Sequence, residues 1–367
     1  MVLSPRFRLA AFADLPGWAE DDQSQAFEAF RRSALRVLEK PYRTGNLGVD
    51  RDAFAAAQAQ ARQAVALSAA DARAFFETHF LPAFVDPGPE AAKGFVTGFY
   101  EPQAAASPVR TQRFRYPVYA RPEDLVDIDD ANRPNGLDPY LAFGRRTGSG
   151  IVEYHDRAAI ETGALDGKGL EIAWLESKVD LFFIHVQGAA RLVMPDGALR
   201  RITYAAKSGQ RFTGIGRVLA DLGEIPLAEV TMQSVRAWLA AHPDRVDAIL
   251  RQNRSFIFFR DAPVEDADLG PVAAAKVPLT PGRSIAVDRL LHTFGTPFHV
   301  VAPTLTAFEG KPFGRLLIAQ DTGSAIVGPA RGDLFAGSGA AAGDIAGVIK
   351  HQADFYALLP RALVGPL

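Results

Sequence analysis

Leu316-Leu317-Ile318-Ala319-Gln320-Asp321-Thr322-Gly323-Ser324, followed shortly by Pro329-Ala330-Arg331-Gly332-Asp333-Leu334-Phe335, is the stretch whose reading decides the fold. An apolar run of strand length ends in a carboxylate and turns through glycine. A few residues later a second carboxylate stands beside a second apolar run. Short apolar runs bounded by Gly and Pro read as strands, not helices. Upstream, Ser284-Ile285-Ala286-Val287-Asp288 repeats the pattern. The expected strands here are 283–288, 298–305, 316–320 and 325–327.

Outward from this segment the texture changes twice. Between residues 214 and 253 the apolar spacing is helical, with Ile215, Val218, Leu219 and Leu222, then Val235, Trp238 and Leu239. From about 94 to 204 come β-like runs, such as 95–100 and 181–187, separated by Pro-Asn-Gly (134–136), Thr-Gly-Ser-Gly (147–150) and Pro-Asp-Gly (195–197). The first ninety or so residues are helical again. Phe27, Phe30, Ala34 and Val37 share one face of a helix that stops before Pro41. Ser68 followed by Asp71 resembles a capping box, and Phe75, Phe76, His79 and Phe80 form a core-facing stripe ending at Pro82. A β segment that closes the chain and draws helical support from its start suggests a barrel built from both ends. The expected domains are therefore 1–103 with 245–367, and an insertion over 104–244.

Composition narrows the chemistry. Apolar residues make up 48% of the 367 and charged residues 22%, which is ordinary globular composition. Net charge is −2 without a polybasic run, so neither nucleic acid nor an anionic membrane surface is an expected partner. There are no cysteines, which excludes a disulfide, a thiolate metal site and a cysteine nucleophile. The seven histidines include no pair at i, i+4 and no His-Glu-x-x-His, so no metal site and no cofactor is expected. His155 and His185 read as ordinary histidines or as sugar contacts. The start, Met1 to Phe7, lacks the apolar core of a secretory signal. That leaves a cytosolic chain or a mature, trimmed form.

Asp288, Asp321 and Asp333 remain as candidate chemistry. A carboxylate directly after a buried strand costs free energy unless partners compensate, yet Asp also caps turns routinely. Three such groups among Gly323, Gly328, Gly332, Gly337 and Gly339 favour a site, because glycine lets backbone approach a ligand closely. Asp321-Thr322-Gly323-Ser324 invites an aspartic-protease reading. A two-lobed protease needs a second such tripeptide, and a dimeric one needs more chain after the loop; both are missing. A Gly-x-Ser-x-Gly elbow is also absent.

Taken in order, a longer series of motifs points further. It comprises Val96-Thr97-Gly98-Phe99-Tyr100-Glu101-Pro102, Tyr116-Pro117-Val118-Tyr119, Gly163-Ala164-Leu165, Asp180-Leu181-Phe182 and Val186-Gln187-Gly188. Tyr204-Ala205-Ala206-Lys207, Ile215-Gly216-Arg217-Val218-Leu219 and Gln252-Asn253-Arg254-Ser255-Phe256-Ile257-Phe258-Phe259 continue it to the three-aspartate segment. Over about residues 81–356 the chain resembles the membrane-bound lytic murein transglycosylase A family, whose C-terminal three-aspartate (3D) domain carries the name of those residues. It departs from the family pattern at Ala189-Ala190 after Gln187-Gly188, at Glu101, and in the turn Pro329-Ala330-Arg331-Gly332.

The resemblance implies a mainly β fold with α-helices: a double-psi β-barrel, an inserted second β domain, and a substrate groove between them. It implies cleavage of the β-1,4 bond between N-acetylmuramic acid and N-acetylglucosamine in peptidoglycan glycan strands, leaving 1,6-anhydromuramic acid ends. One carboxylic acid suffices, because the muramoyl C6 hydroxyl is a tethered nucleophile and one group can serve as acid and then base. By motif that acid is Asp333, with Asp321 and Asp288 as supporting carboxylates. Thr97, Tyr100, Gln187 and Gly188 are candidate substrate contacts. To be protonated at neutral pH, Asp333 needs a raised pKa, expected from burial near Phe335 and from Asp321 as a like charge. A monomer in the periplasm or at the outer membrane is the implied setting. A peptidoglycan-binding barrel without turnover is the alternative from another class.

Overall fold

The computed structural model describes residues 3–89, 91–264 and 266–364. Met1 and Val2, at the start of the stretch read for a signal, lie outside them. Among the described residues no helix is long and apolar enough to cross a membrane.

The chain divides into two compact units, residues 1–100 with 266–367, and 101–265. In the first, eight strands form one sheet, and the strand Lys350–Pro360 also pairs with Gly94–Glu101. That extra pairing closes a ring of six: Gly94–Glu101, Lys350–Pro360, Pro297–Ala302, Phe313–Asp321, Ser284–Val287 and Arg331–Ser338. Closure leaves no free strand edge within the ring. Among the ring pairings with a described register one is parallel, Ser284–Val287 with Phe313–Asp321, and it needs a crossover rather than a hairpin. Ile285, Val300, Leu316, Ile318, Leu334 and Phe355 fill the common core.

Helices from the chain start cover this ring. Ser24–Arg36 and Ala69–His79 bury Phe27, Phe30, Phe75 and Phe76 in the same core as the ring strands. Ser68 caps the second helix, accepting from the Asp71 N–H at 3.2 Å, as its spacing predicts. The chain becomes a strand at Phe80, two residues before the stop expected at Pro82, and runs on to Val85. Two buried polar ties bind helix region to ring. Arg283 Nη1 donates to Asp21 Oδ2 at 2.8 Å, and that oxygen also accepts the Leu316 N–H at 2.9 Å. Gln320 Nε2 donates to the Ala29 carbonyl at 2.7 Å and to Ser33 Oγ at 2.9 Å.

The second unit has a six-stranded sheet in the order Ile257–Ala262, Leu199–Lys207, Ala189–Val193, Gln103–Ser107, Glu171–Leu175 and Tyr116–Tyr119. A bridge between Ala120 and Phe259 joins its two ends. Residues 245–265, expected in the first domain, belong here. The strand Ile257–Ala262 completes this sheet beside Leu199–Lys207, and Ile249 and Leu250 pack with Trp238 and Leu239. Glu101–Gln103 likewise falls in this unit. Glu101 is fully buried, with Arg191 Nε at 2.7 Å and Arg201 Nε at 2.6 Å from its two oxygens.

Two local expectations are corrected. Residues 181–187 are not a strand but most of a helix, Lys178–Gln187. Ser177 caps it, and Gly188 ends it in the left-handed region at φ 79°, its N–H bonded to the Ile184 carbonyl at 2.8 Å. Leu181 and Ile184 enter one core cluster while Phe182 and Phe183 enter another. A helix buried on both faces loses its 3.6-residue period and reads as an unbroken apolar run. Residues 325–327 are likewise no strand, since the Ile326 N–H turns back onto the Gly323 carbonyl at 3.0 Å.

Candidate active site

Ala286 lies in the middle strand of three, with Asp321 as its register partner on one side and Asp333 on the other. Side chains of paired residues leave the same face of a sheet. The two carboxyl groups therefore flank one methyl group. A bulge produces this register, for Ile285 pairs with Ala319 and Ala286 with Asp321, leaving Gln320 out of the ladder. Its amide is not stranded: besides the helix contacts it accepts from Ser284 Oγ at 2.6 Å.

Asp333 stands within its strand, Arg331–Ser338, and not at a strand end as the sequence reading has it. Gly332 before it pairs with Val287, and a Cβ there would run into the Ile285 side chain. Thr97 Oγ1 donates to Asp333 Oδ1 at 2.5 Å. The same Oγ1 accepts from Arg331 Nη2 at 2.8 Å, and Arg331 also donates to the Gly332 carbonyl. Arg331 and Asp333 are two apart on a strand and share a face. The guanidinium lies 5.5 Å from the centroid of the Phe95 ring. Two residues beyond Asp333, Phe335 is buried and its ring lies 5.3 Å from that of Phe99.

Electrostatics follow from this placing. Burial raises the pKa of Asp333, opposed by the Thr97 hydrogen bond and the Arg331 charge, which both favour the carboxylate. Asp321 is pushed up to about 6, first by burial and further by the charge of Asp333. The N–H groups of Thr322 and Ala274 and the Lys276 ammonium act the other way. Like-charge repulsion between the two carboxyls is mutual, and it adds to the raised pKa of Asp321. Both residues are intermediate in exposure, neither fully buried nor open.

Asp288 sits just after its strand and is 8% exposed. It accepts the Leu290 N–H and the Gly328 N–H, each at 3.0 Å, pinning the 328 loop to the turn after Val287. Tyr100 is buried, its ring against Gly343, where a Cβ would come within 2.9 Å. Gln187 and Gly188 belong to the second unit, at the C-terminal end of the buried helix. His185 lies inside that unit, Nδ1 3.2 Å from Arg157 Nη1, and its ring faces Phe256 at 4.3 Å. Desolvation holds it neutral, and it is a core histidine, not a sugar contact. A cavity of about 470 Å³ in the second unit, with Arg110, Trp174 and Phe256 in its lining, contains none of the expected site residues. Among the described residues no group of three or more His, Asp or Glu is placed to hold a metal. Sequence reasoning missed Arg331 as a site residue, taking it as part of a turn. Its position two before Asp333 in an apolar strand is the signal that could have found it.

A closed six-stranded ring with one carboxyl raised in pKa and held by a hydroxyl defines a two-unit β protein equipped for acid–base chemistry. Family models narrow this further: the MltA specific insert domain matches residues 95–260 and the 3D domain residues 283–359. A solved membrane-bound lytic murein transglycosylase from Agrobacterium tumefaciens is 54% identical, with 97% of this chain and 98% of that one aligned at a TM-score of 0.91. The E. coli MltA structure with bound chitohexaose is 26% identical over 98% of this chain and 96% of that one, at a TM-score of 0.69. The chain belongs to the membrane-bound lytic murein transglycosylase A family. Membrane-bound lytic murein transglycosylase A of E. coli K12 is 33% identical over 270 residues, covering 71% of this chain and 64% of that protein.

Proposed function

We propose that this chain is a lytic transglycosylase of peptidoglycan. It cleaves the β-1,4 bond between N-acetylmuramic acid and N-acetylglucosamine and leaves 1,6-anhydromuramic acid ends. The observation that carries the reading is the Asp333 carboxyl, buried enough to raise its pKa and held on one oxygen by Thr97. A neutral carboxylic acid can protonate the leaving glycosidic oxygen as an oxocarbenium-like state develops. The resulting carboxylate then takes the proton of the muramoyl C6 hydroxyl as that oxygen closes on C1. Because nucleophile and reacting carbon share one ring, effective concentration replaces a second catalytic group.

Asp321 and Asp288 are supporting carboxylates, the first beside Ala286 and the second bridging two turns. Thr97 acts on Asp333, while Tyr100, Gln187 and Gly188 are the proposed glycan contacts. The names of the relatives favour murein as substrate and a membrane-bound setting, and the chain is proposed to work as a monomer in the periplasm or at the outer membrane. Purified peptidoglycan incubated with the protein should yield muropeptides with anhydro ends by mass spectrometry. Reducing ends would mean hydrolysis and a second catalytic carboxylate; intact strands that nonetheless retain the protein would mean a binding barrel without turnover.

A further inference from the structure

We infer that Arg331 is a positioning residue: by donating to Thr97 Oγ1 it orients that hydroxyl toward Asp333 Oδ1, which leaves Oδ2 as the oxygen that gives and recovers the proton. The inference rests on the reading of Asp333 as acid and base. Its geometry is a chain of two hydrogen bonds, Arg331 Nη2 to Thr97 Oγ1 at 2.8 Å and Thr97 Oγ1 to Asp333 Oδ1 at 2.5 Å. A guanidinium has donors only, so the first bond can run in one sense. A hydroxyl that already accepts from a cation is a stronger donor and a weaker acceptor. It therefore gives its proton to Oδ1, and the neutral acid carries its own on Oδ2.

Arg331 is itself held in place. It donates to the Gly332 carbonyl and lies over Phe95, whose N–H bonds the Ala330 carbonyl at 2.9 Å. In the first step the C1–O4 bond breaks and the Oδ2 proton passes to O4. In the second, the C6 oxygen bonds to C1 and its proton returns to Oδ2. Nothing is oxidised or reduced, and the acid is regenerated. Throughout, the Thr97 bond stays on Oδ1, strengthening while the carboxylate is charged. The other charged groups near the pair include Lys350, the register partner of Thr97, Asp321 across Ala286, and Lys276 beside Asp321.

The test compares Thr97→Val, Thr97→Ser, Arg331→Met and the double variant Thr97→Val/Arg331→Met. Anhydro-end formation and melting temperature are measured for each. Thr97→Val and Arg331→Met should each lower kcat roughly tenfold or more, inside the 10²-fold that misplacement of a reacting group can cost, with KM nearly unchanged. Thr97→Ser should restore most of the rate. The double variant should be no slower than Thr97→Val alone, because Arg331 acts through that hydroxyl. Losses that multiply in the double variant, or a Thr97→Val enzyme with wild-type kcat, would overturn the inference. A carbon-13 titration of the Asp333 carboxyl supplies a readout independent of turnover. Thr97→Val should raise its pKa and Thr97→Ser should not. If the wild-type protein makes no anhydro ends, the enzymatic reading falls. In that event, an Asp333 titration unmoved in Thr97→Val would overturn the hydroxyl's orientation as well.

Discussion

Asp321 and Asp333 stand opposite the same residue, Ala286, from the strands on either side of it. Two strand spacings put their Cα atoms about 9–10 Å apart, close enough for the charge of one to raise the other. The pair is nevertheless unequal. Asp333 is bonded through Thr97, whereas Asp321 faces backbone N–H groups and Lys276.

That inequality predicts different losses. Asp333→Asn keeps the volume but has no acidic proton, and general acid–base catalysis contributes about 10²–10⁴-fold. Since one group serves both steps, the loss should reach or pass the upper figure, with glycan binding retained. Asp321→Asn should keep more than about a tenth of the rate, outside the loss expected for an acid. Turnover and melting temperature on both variants decide it. A stably folded, inactive Asp321→Asn beside an active Asp333→Asn would move the catalytic acid to Asp321.

Asp321 also leaves a mark on stability against pH. Its folded pKa, about 6, lies above the ordinary carboxylate value of 3.8. A group raised on folding contributes its full stability below the unfolded pKa and loses it as pH rises through the folded one. Between about pH 4 and 6 the wild type should therefore lose stability relative to Asp321→Asn, by up to about 3 kcal/mol at 1.36 kcal/mol per unit. Urea unfolding of both proteins across that range measures the difference. Parallel curves would show that Asp321 is ionised in the fold at low pH.

Much of this was legible in the residues, and the failures have physical causes. Strand length between Gly and Pro located Ser284–Val287 and Phe313–Asp321, because each alternates or runs apolar within a short span. Lys178–Gln187 escaped because two cores claim opposite sides of it, erasing the helical period. The place of Asp333 inside its strand escaped because Gly332, read as turn, is in fact demanded by the Ile285 side chain. The joint register of Asp321 and Asp333 on Ala286 depends on a bulge at Gln320, which no local pattern announces. Arg331 was hidden for a related reason, since its role needs Thr97 from a strand more than two hundred residues earlier.

Metal removal gives a third expectation. No described group of carboxylates and histidines is arranged to hold an ion, and the proposed chemistry requires only Asp333. Activity should be unchanged after dialysis against EDTA. Inactivation reversed by a divalent ion would contradict a single-acid mechanism.

Glu101 should be a stability residue of the second unit. It is fully buried between Arg191 and Arg201, with bonds of 2.7, 2.6 and 3.1 Å. Removing one member of a buried ion pair forfeits its charge-assisted bonds, at a cost of about 3–5 kcal/mol. Glu101→Ala should lower the melting temperature strongly and reduce soluble yield. Glu101→Gln should do so less, because the amide oxygen still accepts a bond from one guanidinium. A Glu101→Ala protein as stable as wild type would show that the two arginines find water or other acceptors without it.

The last prediction concerns the C-terminal piece. A fragment of residues 245–367 contains five of the six ring strands but lacks Gly94–Glu101, which bonds to Lys350–Pro360 and closes the ring. It also lacks Phe27, Phe30, Phe75 and Phe76, the aromatic cover of the core. Arg283 loses Asp21 and the Asp22 carbonyl and keeps the Leu316 carbonyl, and Gln320 loses both Ala29 and Ser33. At its other end the fragment carries Ile257–Ala262, a strand whose sheet partner Leu199–Lys207 is gone, exposing an apolar edge prone to association. Each defect alone costs a few kcal/mol, against a typical total stability of about 5–15 kcal/mol for a domain. The fragment should be insoluble or lack a cooperative melt. Co-expression with residues 1–103 should recover some ordered protein if the missing partners are the cause. A soluble 245–367 fragment with a sharp thermal transition and near-native circular dichroism would show that the ring does not need the chain's first hundred residues.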